Sequence, residues 1–239
     1  MKKKVYAVVP SAGIGKRFGI GKNKPFFELG GKPLMVWCLE VLQSLPEIAG
    51  IIPVVKEDDL LAAGELIEKY GISKVRRIVP GGPERQDSVY NGLKAIDDDK
   101  ALVLIHDGGR PFADREMFLS ALKLIETCDG VIAAVRVKDT IKEVSAARKG
   151  SKEAPVVRQT LNRDLLYAVQ TPQVFSYRTI RDAHEKARKE KYYGTDDAAL
   201  VERCGGRIMV SEGSYRNIKI TTPEDIHIAE ALLKLKNEN

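Results

Sequence analysis

The chain has 239 residues, 44% of them hydrophobic and 30% charged, a balance that excludes a disordered or fibrous protein and suits one large α/β domain over residues 1–239. The net charge of +6 arises from 39 Lys and Arg against 33 Asp and Glu; these are intermixed, without a long basic run or an RNP-like aromatic motif, and so favour a pocket for a small polyanion over nucleic acid. No stretch approaches the ~20 apolar residues of a membrane span, Val5–Val9 behind Lys2–Lys4 is shorter than the about 7 to 15 residues of a signal-peptide core, and Cys38, Cys128 and Cys204 lack metal-ligand spacing, so a cytoplasmic protein with reduced thiols and no membrane partner is expected.

In chain order, Val5–Val9 predicts a buried strand, followed by the glycine-rich, cationic loop PSAGIGKRFGIGKNKP. Helical periodicity predicts Leu34–Leu45, Asp58–Tyr70, Glu84–Ile96 and Arg115–Thr127, alternating with strands at Ile51–Val55, Val75–Val79, Ala101–Ile105 and Val131–Val137. Such alternation implies an α/β fold, a mainly parallel twisted sheet covered by helices on both faces. Ligands of these sheets bind beyond the carboxyl ends of the strands, where PSAGIGKRF, PGGPERQDSV and HDGGRP fall.

After Asp139 the rhythm changes. Thr140–Val144 and Val156–Leu161 predict extended segments flanking the polar SAARKGSKEA, with Gly150 as turn signal, and suggest a protruding β-hairpin whose apolar Val156, Val157 and Leu161 want a partner surface; a surface loop is the plain alternative. Thr195 predicts an N-cap with Asp196 and Asp197 in the first turn, closed by Gly205, and Thr222, Pro223 and Asp225 open a last helix.

Two familiar readings of the opening loop fail. A dinucleotide fingerprint needs a third glycine where Phe18 follows Gly13 and Gly15, and a Walker loop needs glycine at Lys16 and Ser or Thr at Asn23. What remains is backbone N–H groups made accessible by glycine, with Lys16, Arg17, Lys22 and Lys24 supplying charge: a polyphosphate loop, or else a solvated one. Asp107 of HDGGRP, ending an apolar strand in a cationic site, suits Mg²⁺ held by one carboxylate plus phosphate oxygens; a buried capping aspartate is the alternative. Its neighbour His106 should face the other way and be structural, while His184 and His227, in helical segments, are expected at the surface.

Taken together, SAGIGKRF, Lys24, GGPERQDSV, HDGGRP, KDT, TPQVF, GTDDAALVE and NIKITTPEDI resemble the cytidylyltransferases of the methylerythritol phosphate pathway of isoprenoid biosynthesis, in family order over nearly the whole chain. The resemblance implies a Rossmann-like nucleotidyltransferase fold and a CTP-dependent enzyme that transfers CMP to 2-C-methyl-D-erythritol 4-phosphate. It also implies a homodimer whose arm, residues 138–163, reaches the neighbouring subunit's site. By the same resemblance Arg17, Lys24 and Lys219 stabilise the reacting phosphates; Ser11, Ala12 and Gly13 cradle triphosphate; Gly81, Gly82 and Ser88 read cytosine; and Asp107 binds Mg²⁺. Thr140 and Arg163 hold the sugar phosphate across the dimer, with Thr171 and Thr195 nearby. The chain departs from the family pattern at Ser11, where an Ala-Ala-Gly opening is usual, at Gly108 and Gly109, where alanines are common, and at Asn23 and Pro25 around Lys24. A cytidylyltransferase for D-ribitol 5-phosphate shares the chemistry, and a non-catalytic nucleotide-binding module is the reading from another class, against which stand the four retained charges Arg17, Lys24, Asp107 and Lys219.

Overall fold

VYAVV is apolar on both sides of a pleat, and the strand it forms, β1 (Val5–Pro10), runs through the middle of the sheet: Val5, Ala7 and Val9 enter one hydrophobic cluster and Val8 the other. The computed structural model describes residues 3–13, 24–145 and 154–237. Gly15, Lys16, Arg17, Phe18, Lys22 and Asn23 of the opening loop and Gly150 of the arm lie outside the described residues.

After the opening loop come the two-residue strands β2 (Glu28–Leu29) and β3 (Lys32–Pro33), paired antiparallel, then α1 (Leu34–Ser44) and β4 (Ile48–Val55). These are followed by α2 (Leu60–Lys69), β5 (Val79–Pro80), α3 (Arg85–Leu93), β6 (Leu102–Ile105), α4 (Arg115–Leu124) and β7 (Gly130–Arg136). β8 (Lys142–Val144) and β9 (Val157–Thr160) form a separate antiparallel pair, so the two arm segments pair as the sequence suggests. The chain ends with β10 (Tyr167–Ser176), α5 (Tyr177–Lys189), α6 (Asp197–Arg203), β11 (Ile208–Glu212) and α7 (Pro223–Asn237).

Among the described residues seven strands form one sheet in the order β11-β7-β10-β6-β1-β4-β5. All neighbours are parallel except β10, which runs antiparallel between β6 and β7. Side chains of α1, α2 and α4 join the cluster on one face, and those of α3, α5 and α6 the cluster on the other. The fold class is therefore the expected one, with helices on both faces of a mainly parallel sheet. A third, small cluster seats Ile226 and Ala229 of α7 against Leu29 and Leu34.

Two expectations are corrected, and one strand is added. The strand over Val75–Val79 shrinks to β5, with Val75 reaching Ile51 only through an isolated bridge; the exposed Arg76, whose guanidinium donates to Ala49 O, and exposed Arg77 keep this edge from being buried. The ten-residue β10, overlooked in the periodicity, carries Gln170, Thr171 and Gln173 into the interior, where hydrogen bonds replace the apolar pattern. The N-cap of α6 is Asp196, accepting from Ala199 N–H, and not Thr195.

Candidate active site

The three motif-bearing strand ends meet. Ser11 N–H donates to Val54 O at 2.7 Å, so β1 stays paired to β4 one residue past its end, and Gly81 N–H donates to Val55 O at 2.7 Å from the other side of β4. Gly82 N–H donates to Ser88 Oγ at 3.1 Å, and that hydroxyl donates to Glu84 O, which fixes the loop on the first turn of α3. The cavity they enclose, about 460 Å³, is lined by Ser11, Ala12, Gly13, Lys24, Gly81, Gly82, Ser88, Asp107 and Lys219. Nine of the residues singled out in the sequence are thereby gathered around one space.

Asp107 sits at the end of β6, only 5% exposed. Arg85 Nε donates to its Oδ1 at 2.9 Å, Lys219 Nζ lies 2.7 Å and Arg110 Nε 3.8 Å from its Oδ2. Burial alone would raise the carboxyl's pKa, but Arg85, Lys219 and Arg110 outweigh it and hold the group ionised, well below the usual carboxylate range. Beneath it, Thr171 Oγ1 accepts from Asp107 N–H at 3.0 Å and meets His106 Nδ1 at 3.0 Å. His106 Nε2 faces Arg110 O at 3.2 Å, and a carbonyl can only accept, so Nε2 carries the proton and Nδ1 accepts from the threonine hydroxyl. Burial pushes this histidine down to about 4 and keeps it neutral; it packs edge-on against Phe118 as a structural residue.

Lys24 lies half-buried across the cavity, held in the turn Lys24–Phe26. Burial, followed by repulsion from Lys219, pulls its ammonium down from 10.5 to about 8, with Asp107 and Asp225 opposing the shift. Asp225 is fixed in turn, its Oδ2 accepting from Thr221 N–H, Thr221 Oγ1 and Thr222 N–H. A carboxylate lining a cationic cavity fits a divalent metal carried in on phosphates; no cluster of three or more candidate ligands occurs among the described residues, so an all-protein metal cage is not what the donor set offers.

Two departures from the family pattern are coupled in space. A Cβ on Gly108 would overlap Ser11 Oγ, so the serine hydroxyl fills the volume that an alanine methyl would need. A Cβ on Gly109 would come within 2.8 Å of Lys24 Nζ, so this glycine lets the lysine lie close.

Arg85, Asp197 and His184 belong to the site's framework and were not assigned in the sequence. Arg85 Nη1 donates to Asp197 Oδ2 at 2.7 Å, and His184 Nε2 to Asp197 Oδ1 at 3.1 Å. His184 is fully buried, correcting the expectation that it lies at the surface; its hydrogen bond to the buried Asp197 needs it inside. His227 is exposed as expected. A signal existed: Arg85 stands four residues before Val89 on the buried face of α3, and a cation there requires a buried anion. Thr171 is inside, under Asp107, whereas Thr140, Arg163 and Thr195 are exposed outside the cavity lining; Arg163 Nη1 donates to Lys138 O at 3.2 Å.

A cationic cavity of this kind suits a polyanion, and its place at the strand ends of a doubly covered sheet makes the chain an α/β protein with its ligand site where that class carries one. Comparison with known proteins narrows this. The family model described as 2-C-methyl-D-erythritol 4-phosphate cytidylyltransferase matches residues 5–235. The cytidylyltransferase of that name from Geobacter metallireducens is 44% identical over 236 residues, 97% of this chain and 98% of that protein, and the one from Geobacillus thermodenitrificans is 47% identical over 227 residues, 95% and 96%. The crystal structure of 4-diphosphocytidyl-2C-methyl-D-erythritol synthase from Anaerococcus prevotii is similar with a TM-score of 0.85 and 36% identity, covering 98% of this chain and 97% of that one. The chain belongs to the 2-C-methyl-D-erythritol 4-phosphate cytidylyltransferase family.

Two tests follow from this geometry. Gly108→Ala alone should destabilise by roughly 1–3 kcal/mol through overpacking, and Ser11→Ala in the same chain should recover most of that loss; additive costs in a denaturant double-mutant cycle would show the two positions to be independent. Competitive amine labelling of the unliganded protein should find Lys24 titrating near 8, with nucleotide shifting the midpoint upward; a midpoint near 10.5 would contradict the burial argument.

Proposed function

We propose that this chain transfers CMP from CTP to 2-C-methyl-D-erythritol 4-phosphate, forming 4-diphosphocytidyl-2-C-methyl-D-erythritol and pyrophosphate in isoprenoid precursor synthesis. The observation that carries the reading is the facing of Lys24 and Lys219 across one cavity that also holds the ionised Asp107.

The acceptor's phosphate attacks the α-phosphorus of CTP. A phosphate monoester has its second pKa near 6 and is mostly dianionic at neutral pH, so no general base is needed. The histidines agree with this: His106 and His184 are engaged inside the fold. The obstacle is repulsion between two polyanions and charge on the five-coordinate phosphorus, which fixed cations counter by position and field. Arg17, Lys24 and Lys219 take that role. Ser11, Ala12 and Gly13 would face the triphosphate, and Gly81, Gly82 and Ser88 the cytosine. Since the N–H groups of Gly81 and Gly82 already have partners, the base's amino group would have to find an acceptor in this loop. Asp107 would hold Mg²⁺, which would supply further positive charge to phosphate oxygens when bound.

A homodimer suits the arm. Val144, Val156, Val157, Leu165 and Tyr167 are exposed apolar side chains on and beside it, more than a monomer ordinarily shows in one place. Burying them against a second copy would carry Thr140 and Arg163 toward the neighbour's cavity. There the guanidinium fork suits a terminal phosphate, with Thr171 and Thr195 closer to the chain's own site.

Pyrophosphate release from CTP and Mg²⁺ should be rapid with 2-C-methyl-D-erythritol 4-phosphate and negligible with D-ribitol 5-phosphate; the reverse preference would overturn the acceptor, and none with either acceptor would overturn the enzyme. Lys24→Ala should lower kcat about 10²–10³-fold with little change in KM for CTP, whereas unchanged kcat with a raised KM would remove Lys24 from the chemistry. Arg163→Lys should raise KM for the sugar phosphate; an unaltered value would count against both the phosphate site and the cross-subunit arm.

A further inference from the structure

Arg85 is shared between two carboxylates from distant parts of the chain. Its Nε donates to Asp107 Oδ1 at 2.9 Å and its Nη1 to Asp197 Oδ2 at 2.7 Å, with the side chain of Asp107 8% and that of Asp197 1% exposed. Asp197 is held from the other side by the fully buried His184, whose Nε2 must donate because its partner oxygen can only accept. Burial opposes the charge on Asp197, and Arg85 and His184 outweigh it, leaving the carboxyl ionised.

An arginine beside a lone carboxylate tends to take both its oxygens in a two-pronged pair. Here the second prong is drawn to Asp197. Arg85 therefore occupies one oxygen of Asp107 and leaves Oδ2 to Lys219 at 2.7 Å, with Arg110 Nε 3.8 Å away. The guanidinium also starts α3, directly after the Gly81–Gly82 loop and three residues before Ser88, so the same residue ties the glycine loop to the carboxylate.

We propose that Arg85 is a positioning residue for Asp107, aimed by Asp197 and His184: it takes one oxygen only, so that a metal-nucleotide, whose phosphates draw off Lys219, finds the other oxygen turned toward it. The inference rests on the metal role given to Asp107 above. Arg85 also lines the cavity, so metal-free CTP binding is the readout that separates a role through Asp107 from direct contact with the nucleotide. Partners of this kind behind a metal-binding side chain typically contribute about 10–100-fold to metal affinity or activity.

The test is Mn²⁺ binding in the ternary complex with CTP, without acceptor, followed by electron paramagnetic resonance on protein whose folding is checked by thermal unfolding. Arg85→Lys keeps the charge but not the two directed donors, and Asp197→Asn removes the charge that draws Nη1 away. Each should weaken Mn²⁺ about 10–100-fold while CTP binding without metal stays near the unaltered protein's. If one variant does not fold, the other carries the test. Unaltered Mn²⁺ binding in a folded variant, with Asp107→Asn impaired, overturns the positioning role alone. Unaltered binding in Asp107→Asn overturns the metal role and the inference with it.

Discussion

The ion pairs of Asp107 are the interaction on which the rest of the site depends. A carboxylate this deeply buried is costly unless compensated by close, well-directed donors. The compensation comes from three separate segments: Arg85 at the start of α3, Arg110 in the turn after β6, and Lys219 in the segment before α7. Arg110 arrives with the local turn, but the other two approaches each depend on a packing event, α3 against one face of the sheet and α7 against Leu29 of β2 and Leu34 of α1. The site is therefore an outcome of the fold being assembled, and one charge records whether two distant segments have reached it.

The same field sets the behaviour of the cavity toward ligands. Lys24 and Lys219 repel each other in a partly desolvated space, and Asp107, the carboxylate paired to Lys219, is already shared with Arg85 and Arg110. A polyanion entering this space relieves repulsion as well as gaining attraction, and the cavity's walls keep water from screening either effect. Glycines along the rim serve this by close approach, as where Gly109 admits Lys24.

Much of this was legible in the sequence because the fold obeys simple periodicities. β1, β4, β6 and β7 are apolar runs, and α1 to α4 follow them with helical spacing, so the sheet's helix-covered core and the convergence of three loops could be read from order alone. β10 could not, since Gln170, Thr171 and Gln173 look like surface residues until their partners Ser214, His106 and Asp196 are known, all distant in the chain. His184 was misplaced for the same reason: its partner Asp197 lies thirteen residues on, disguised as a helix-capping acid. Local pattern reports which side chains avoid water, but not which polar groups have found one another inside.

The pairing of Ser11 with Gly108 bears on how such a site can change over generations. Replacing the serine first leaves a small gap and removes only a long, 3.4 Å hydrogen bond to Val9 O, whereas placing a methyl at position 108 first forces an overlap with the hydroxyl. The two routes to an alanine pair thus differ in their midpoint, one nearly neutral and the other strained. Drift between the two forms of this loop has a preferred direction of travel, and the order of steps is written in a single van der Waals contact on the cavity wall.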